Sequence, residues 1–357
     1  MKRWWCLLVV VMGVATARHR QGKSDVSVPF TLAWSQGKCI GCKTAFELGR
    51  IQFVTPNEAW AVGFTYGPPG SEGSGDFIVV HTKDAGHTWT ELPQTRQHAG
   101  GEDGPPAFSF VDAARGWIAW WEPSDVAKVI DTRDGGQHWQ HVSDEPLQKL
   151  LFFDNNRGYG AEVTTFLRTN DGGHHWVEIK IPELRFIDHM FFLTPEIGWL
   201  AGTDGKDFFV FRTTNGGHAW DWEESGTTPP KELAKVRDLF FVNQNRGWLI
   251  TWQMNDGGSY LYSTEDGGKK WVPEGDLSFQ GKGRWMGVVR FISPQKGFLF
   301  EREDDANKLL FTQDGGAHWA KQTVPHSVFD CQVYEGDLLC DAGNRPTEFS
   351  LLTVHLK

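Results

Sequence analysis

The chain has 357 residues with 45 acidic and 35 basic side chains, which gives a formal net charge of −10 at neutral pH. This acidic excess argues against a polyanion such as nucleic acid as a partner. Beyond the first 17 residues no stretch is long and apolar enough to form a transmembrane helix, so we expect no membrane-spanning segment.

The N-terminus has the features of a secretory signal peptide. Two basic residues precede an apolar run over residues 4–14, and a small-x-small cleavage site ends at Ala17. The apolar run is too short to span a bilayer. We therefore predict that residues 1–17 are removed and that the protein is exported to the periplasm or the cell exterior. Residues 18–29 are predicted to form a flexible N-terminus, and residues 30–357 a single domain.

A C-x-x-C pair, Cys39 and Cys42, follows in a segment predicted to be a long loop. Lys43 stands where covalent haem attachment requires a histidine, and no second C-x-x-C completes a zinc site. A local structural disulfide, a redox pair and a metal half-site remain open, and the structural disulfide is favoured. Such cysteines can be oxidised to a disulfide in the compartments to which proteins are exported.

From residue 53 onward an aromatic residue repeatedly follows a Phe by seven positions. An apolar run, a polar patch ending in Gly or Ala, and a second apolar run predict two strands joined by a tight turn. The six pairs are Phe53/Trp60, Phe110/Trp117, Phe152/Tyr159, Phe192/Trp199, Phe241/Trp248 and Phe291/Phe298.

Downstream of each pair lies an eight-residue unit, T-x-[D/N]-[A/G]-G-x-x-W, which we call the box. Asp or Asn followed by Gly is typical of hairpin turns, and the short side chain can accept backbone hydrogen bonds. A calcium array and a set of catalytic acids are the alternatives, but a hard cation takes several oxygen ligands. We therefore expect turn clamps and no metal or other cofactor, and we expect the box Trp to pack in the core. The clamp residues are Asp84, Asp134, Asp171, Asn215, Asp266 and Asp314.

Each repeat thus contains four predicted antiparallel strands, and repeats of this length arranged radially form propeller blades. Three apolar stretches follow the sixth box, whereas a lone strand over Phe30–Trp34 resembles the strand that follows a box. We predict an all-β, seven-bladed β-propeller closed by a three-plus-one seam, in which the N-terminal strand completes the last blade. Such closure leaves no long unpaired sheet edge.

A second pair of cysteines, Cys331 and Cys340, flanks a predicted two-residue turn at Glu335-Gly336. The two would face each other across the hairpin, which predicts a disulfide. Cross-pairing with Cys39 and Cys42 remains open, because sequence alone does not give connectivity.

Two surfaces are candidates for binding. Turns between first and second strands share one face of the ring with the boxes, and basic residues recur there, so we hypothesise a basic face opposite an acidic one. The alternative is that these residues are charged merely because they are solvated. The basic residues of the turns are Arg115, Arg157, Arg246 and Lys296, and the boxes add Lys269, Lys270, His87, His138, His174, His175, His218 and His318.

The opposite face carries the longer loops, which on a rigid scaffold often carry function. Exposed Trp beside Arg would suit a protein hot spot or a sugar-stacking platform. Alternatively, the tryptophans pack between blades, and their exposure would distinguish the two. The candidates are Tyr66, Arg96, His98, Trp121, Trp252, Arg284 and Trp285.

The box resembles the Asp-box, or BNR repeat, of sialidases, sortilin-type receptors and related propellers. Together with the Phe-x6-aromatic pairs, it looks most like the photosystem II stability and assembly factor family and its bacterial relatives, over residues 30–357. The resemblance implies a non-enzymatic, exported propeller that binds another protein, and we expect a monomer. These motifs are specific for the fold and only weakly specific for function.

The alternative is a sialidase-like glycoside hydrolase or a glycan-binding propeller. A sialidase needs three arginines for the substrate carboxylate, a Tyr nucleophile with a Glu partner, and an Asp acid. The F-R-I-P motif of sialidases is echoed only at Arg50-Ile51, without the Phe and the Pro. Three arginines converging near Tyr66 or Tyr260 would favour this alternative.

Overall fold

The strands form seven sheets, each built around four antiparallel strands, and the predicted seven-bladed β-propeller is confirmed. The predicted signal peptide and flexible N-terminus lie outside the described residues. No helix in the described part is long and apolar enough to cross a membrane. The computed structural model describes residues 30–40, 42, 46–65, 76–93, 97–98, 106–121, 126–181, 184–204, 207–222, 234–253, 258–274, 284–303, 306–344 and 348–356.

Thirty strands account for nearly all regular structure in these ranges. They are β1 Phe30–Gln36, β2 Lys38–Ile40, β3 Phe46–Phe53, β4 Ala59–Thr65, β5 Asp76–Thr82, β6 Thr88–Glu91, β7 Gln97–His98, β8 Ala107–Phe110, β9 Gly116–Trp121, β10 Ala127–Thr132, β11 Gln140–Ser143, β12 Lys149–Phe152, β13 Gly158–Ala161, β14 Thr165–Thr169, β15 Val177–Lys180, β16 Phe186–Phe192, β17 Gly198–Thr203, β18 Phe208–Thr213, β19 Asp221–Trp222, β20 Ala234–Phe241, β21 Gly247–Gln253, β22 Ser259–Thr264, β23 Val272–Pro273, β24 Arg284–Phe291, β25 Gly297–Glu303, β26 Ala306–Thr312, β27 Ala320–Val324, β28 Ser327–Tyr334, β29 Asp337–Asn344 and β30 Glu348–Leu356.

Blades 1 to 6 begin with β3, β8, β12, β16, β20 and β24, and in each the chain steps outward strand by strand. Blade 1 departs from the predicted pattern. Its outer strand β6 pairs in parallel with β2, so that Cys39 lies opposite Trp89. The segment around Cys39 was expected to be a loop, and the structure corrects this: it is an added edge strand. A further short strand, β7, pairs with β5.

Blade 7 contains both ends of the described chain, as predicted. Strand β1 pairs antiparallel with β30 from Phe30 opposite Leu356 to Gln36 opposite Ser350. Phe30 is buried, and its ring meets Phe298 and Phe311 edge-on at 5.3 and 5.0 Å. The N-terminal strand therefore closes the ring.

The β28–β29 hairpin has the predicted cysteine geometry. Cys331 lies opposite Cys340 in the strand register, and their sulfur atoms are 2.05 Å apart. Glu335 and Gly336 form the two-residue turn, with φ angles of 49° and 91°. Cys39 is joined to Cys42, so the two pairs do not cross.

The box of blade 3 illustrates how the repeated turn is held. The Thr169 hydroxyl donates to Asp171 Oδ1 at 2.8 Å and accepts from the Gly173 N–H at 3.0 Å. Asp171 Oδ1 also accepts from the His175 N–H at 3.0 Å. Gly172 and Gly173 have φ angles of 76° and 92°, a region that favours glycine. One Thr and one carboxylate thus fix both ends of the turn.

Replacing Asp171 by Ala should lower the free energy of unfolding by about 1–2 kcal/mol, because backbone and hydroxyl donors lose their acceptor. Asp171→Asn is the matched control, since Asn215 in blade 4 accepts the same two bonds through Oδ1. Denaturant titration of both variants at neutral pH provides the measurement. Equal losses in both variants would contradict the role of the acceptor oxygen.

The same clamp has a pH dependence. Partial burial opposes ionisation of Asp171, but the hydrogen bonds from His175 and Thr169 prevail and lower the pKa of the carboxyl to about 2. A depressed acid pKa contributes stability that is present above the unfolded pKa of about 4 and is lost as the pH falls through the folded value.

The boxes and the Phe-x6-aromatic pairs meet at the joints between blades. In blade 5 the Phe241 ring lies between Gly247, where a Cβ would come within 2.5 Å of it, and Trp199 of blade 4, stacked at 3.7 Å. The box Trp271 meets Phe241 edge-on at 5.9 Å. Trp199 Nε1 also donates to the carbonyl of Gly267 in the box, at 2.8 Å. The same aromatic stack joins Trp60 to Phe110, Trp117 to Phe152, Tyr159 to Phe192 and Trp248 to Phe291.

One joint contains a buried carboxyl. The second glycine of the other boxes is covered by apolar side chains, such as Leu92 over Gly136, but the equivalent Gly316 is covered by the Glu274 carboxyl. Glu274 is only 7% exposed. Burial raises its pKa, although the Ser263 hydroxyl and Arg246 act against the shift.

Glu274→Gln should therefore stabilise the protein increasingly as the pH rises. A raised acid pKa contributes stability below the unfolded pKa of about 4.3, and that contribution is lost as the pH rises through the folded value. The melting-temperature difference between variant and wild type should grow between pH about 4 and about 7. Glu265→Gln is the control because Glu265 is 83% exposed. A pH-independent difference for Glu274→Gln would contradict the expectation.

Candidate functional site

The face that carries the boxes, here the box face, consists of the six turns between first and second strands and the six boxes. Its formal charge is −2 with neutral histidines, so this face is not basic as hypothesised. Its basic residues are Lys83, Arg115, Arg133, Arg157, Arg246, Lys269, Lys270 and Lys296, and its acidic residues are Glu58, Asp84, Asp112, Asp134, Asp154, Asp171, Glu196, Glu265, Asp266 and Asp314.

The predicted arginines are engaged within the protein. Arg115 forms an ion pair with buried Asp131 at 2.9 Å, and its guanidinium lies over the Trp117 ring. Arg157 Nη1 donates to Glu196 Oε1 of the next blade at 2.9 Å. These arginines hold turns and blades together, which explains why a basic residue recurs there.

Arg246 and Lys296 complete the predicted set. Arg246 donates to Glu265 Oε1 and, across the joint, to the Gly315 carbonyl, both at 2.8 Å. Lys296 is half-buried, and its backbone N–H donates to the Ser293 hydroxyl. The ammonium of Lys296 makes no hydrogen bond or ion pair with any described residue.

Three box histidines share one arrangement. In His138, His175 and His318 the Nδ1 atom lies 2.6–2.7 Å from the box Asp Oδ2. Their side chains are 82–89% exposed. These imidazoles line the solvent side of the turn and do not converge on one another as metal ligands among the described residues.

The structure tests the predicted platform on the opposite face only in part. Tyr66 and Arg96 lie outside the described residues. Trp121 and Trp252 are half-buried, and the Arg237 guanidinium lies 5.2 Å from the Trp252 ring centre. Half-burial fits neither a free platform nor a sealed core. For the remaining candidates only the backbone is described, in β7 for His98 and in β24 for Arg284 and Trp285.

Three tyrosines are buried in the core or hydrogen-bonded to the backbone. Tyr262 is 1% exposed, and burial raises its pKa to about 12, whereas a nucleophile needs activation. The Tyr159 hydroxyl donates to the Pro195 carbonyl at 2.6 Å, and the Tyr334 hydroxyl to the Val54 carbonyl at 3.3 Å. Tyr159 and Tyr334 are thus held by backbone carbonyls, and Tyr262 lies in the core.

The first strands surround the central channel, and at five of the seven blade joints the first strands of neighbouring blades pack against one another. Residues three positions before the repeat Phe occupy one register layer, opposite the residue two positions after the second aromatic. A β-bulge precedes this layer in five of the strands. We call the layer the channel ring: Arg50, Ala107, Lys149, His189, Asp238, Val288 and, from blade 7, Asp330.

Polar side chains near this ring connect adjacent blades. Gln52 donates to the Phe110 carbonyl at 2.8 Å, and Asp188 accepts from the Val236 N–H at 2.9 Å. On the other side Arg290 donates to Asp238 at 2.6 Å and to Asp330 at 2.7 Å. Several charged and polar side chains near the channel ring therefore bridge adjacent blades, whereas Ala107 and Val288 of the ring are buried in the core.

Two cations of the channel ring are not paired in this way. Within the described part of the chain, Arg50 and Lys149 make no ion pair or side-chain hydrogen bond. Burial and the nearby Arg50 lower the pKa of Lys149 to about 8, with Asp188 opposing the shift. Burial and the charges of Lys149, Arg50 and Arg290 lower the pKa of His189 to about 3. The charges that shift these two pKa values belong to residues of four different blades around the channel.

Sequence reasoning missed this ring. Arg50 drew notice only as an incomplete sialidase motif, and Lys149 and His189 attracted none. The usable signal was the fixed position three residues before each repeat Phe, which places unlike residues at one height.

No protein-family model matches the chain, and no curated protein matches its sequence. Solved structures do match. One is YCF48 bound to D1 peptide, with 18% identity and a TM-score of 0.61, covering 92% of this chain and 97% of that one. YCF48 from Cyanidioschyzon merolae has 14% identity and a TM-score of 0.61, with 90% and 98% covered.

Enzymes share the fold as well. A polysaccharide lyase described as an ulvan lyase matches with 12% identity and a TM-score of 0.57, covering 88% of this chain and 95% of that one. At these identities the likeness establishes the propeller fold and leaves function to the site.

Proposed function

We propose that this protein is an exported, non-enzymatic propeller that binds a segment of another protein. The carrying observation is that the chain matches, over 92% of its length, a propeller solved with a bound peptide. Export rests on the predicted signal peptide, and the two disulfides fit an oxidising compartment.

The box face is the proposed contact surface. Its ion pairs Arg157–Glu196 and Arg246–Glu265 use acids that are 57% and 83% exposed. Exposed ion pairs contribute about 0–1 kcal/mol, so carboxylates of a partner can replace these acids at little cost. The arginines, already held by neighbouring blades, would then anchor an acidic segment.

The test begins with affinity capture from the exported fraction of the native cell and continues with the purified partner. The double variant Arg157→Glu/Lys296→Glu should weaken binding about ten-fold or more, the equivalent of one lost charged hydrogen bond. Lys180→Glu is the matched control, because Lys180 is exposed on the opposite face. The proposal would be overturned if no specific partner were captured. It would also be overturned if the wild type, the double variant and Lys180→Glu bound the partner equally.

The scaffold and the glycan-active alternative predict different results in an assay with polysaccharides. Incubation with sulfated and neutral polysaccharides should release no new reducing or unsaturated ends if the protein is a scaffold. Turnover abolished by substitution of a channel or loop residue would establish an enzyme instead.

A further inference from the structure

We infer that the central channel contains a binding site for an oxyanion, a carboxylate or a phosphate, between Arg50 and Lys149. This inference does not depend on the proposed protein partner. It rests on the position of the two cations, on the pairing of the other channel charges, and on the chemistry of the groups around them.

The two cations lie at one height in the channel. Arg50 stands opposite Val62 in blade 1, and Lys149 opposite Ala161 in blade 3. Both positions belong to the channel ring. Blade 2, between them, has Ala107 at this position, a small residue that is buried in the core. Two long basic side chains therefore flank a small residue on one side of the channel.

The two acids of the channel ring, Asp238 and Asp330, are already paired within the described part of the chain. Arg290 is held between Asp238 and Asp330, an arrangement with one more acid than base. Asp188 is near Lys149 and accepts the Val236 N–H. Within the channel ring, blades 1 to 3 therefore contribute two basic residues and no acidic one, in a protein whose overall charge is negative.

Two like charges in a confined, partly desolvated site disfavour each other. Burial lowers the pKa of Lys149, the nearby Arg50 lowers it further, and Asp188 opposes the shift. An oxyanion between the two side chains would reverse it, because the guanidinium offers a planar pair of N–H donors and the ammonium a compact charge. His189 remains neutral at physiological pH, so it can add a hydrogen bond without adding charge.

The ligand is a single anionic group, not a polyanion. The acidic surface repels an extended polyanion, whereas one carboxylate or phosphate needs only the two cations. Its source could be a free small anion or an acidic side chain of a bound polypeptide. A free anion and an acidic side chain present the same kind of oxygen atoms to the channel. The experiment below distinguishes these two sources.

The test is calorimetry with the mature full-length protein at constant ionic strength, using inorganic phosphate, acetate and a short Glu-containing peptide as probes. Wild type should bind at least one probe saturably at pH about 6.5, and about ten-fold or more weakly at pH about 9.5, because Lys149 loses its proton near pH 8. Arg50→Gln and Lys149→Gln should each reduce the affinity about ten-fold or more. Lys180→Gln, exposed on an outer strand, should not.

The outcomes separate the possible sources. Tightest binding of phosphate supports a free anion, and tightest binding of the peptide supports a polypeptide side chain. If Arg50→Gln does not fold, Arg50→Lys keeps the charge without the planar donor pair and should show an intermediate loss. No saturable binding of any probe, or equal affinities in wild type, Lys149→Gln and Lys180→Gln, would overturn the inference, and neither result bears on the capture of a protein partner.

Discussion

Deletion of residues 28–35 should lower the melting temperature by about 10 °C or more, with loss of a single cooperative transition. The deletion removes most of β1, which pairs with β30 along its whole length. It also removes Phe30, whose burial contributes about 1.5–3 kcal/mol, and exposes the edge of β30. The summed loss of several kcal/mol corresponds to a shift of this size at about 2–4 °C per kcal/mol.

A chain that begins at Arg18, the predicted mature N-terminus, is the matched control. It keeps β1 and should therefore show the higher melting temperature. Calorimetry and far-ultraviolet circular dichroism provide the two measurements. A deletion variant that melts within about a degree of the control would show that the ring does not need its seam, against the closure argument.

Substitution of Trp199 by Ala should lower the free energy of unfolding by about 3–5 kcal/mol, as expected when a fully buried aromatic residue is truncated. Trp199 is completely buried. Its ring stacks on Phe241 of the next blade, and its Nε1–H satisfies the Gly267 carbonyl in that blade's box. The alanine variant therefore breaks the joint between blades 4 and 5 at two points.

Trp199→Phe keeps an aromatic ring over Phe241 while it removes the Nε1–H donor and the second ring of the indole. Its loss should be about 1–2 kcal/mol. Trp121→Ala, at a half-buried position, should also cost less than Trp199→Ala. Denaturant unfolding of the three variants gives the comparison. If Trp199→Ala were no worse than Trp121→Ala, the stacked joint would not be a main source of stability.

The fold was predictable because its signals are local and repeated. The box, the Phe-x6-aromatic pair and the Cys331–Cys340 hairpin each occupy fewer than a dozen consecutive residues. The seam was predictable for a different reason: three strands at one end and a single strand at the other complete one blade.

The candidate site was much less predictable, because it depends on contacts between blades. A basic residue before the turn glycine in four repeats suggested a basic face, but Arg157 and Arg246 bind acids or carbonyls in neighbouring segments. Likewise, strand β2 pairs in parallel with β6, whose residues lie 50 positions later in the chain. Such partners are set by the three-dimensional register and leave no mark in a short window of sequence.

The seam also sets the order of events when the protein folds. Strand β1 is synthesised first, yet its partner β30 lies more than 300 residues later in the chain. Loop closure over such a distance is entropically costly and slow. Blades 1 to 6 can assemble from nearby segments as they emerge, but blade 7 must wait for the C-terminus. We therefore expect the folding protein to pass through an unclosed ring of blades, in which β1 stays unpaired until β30 is available.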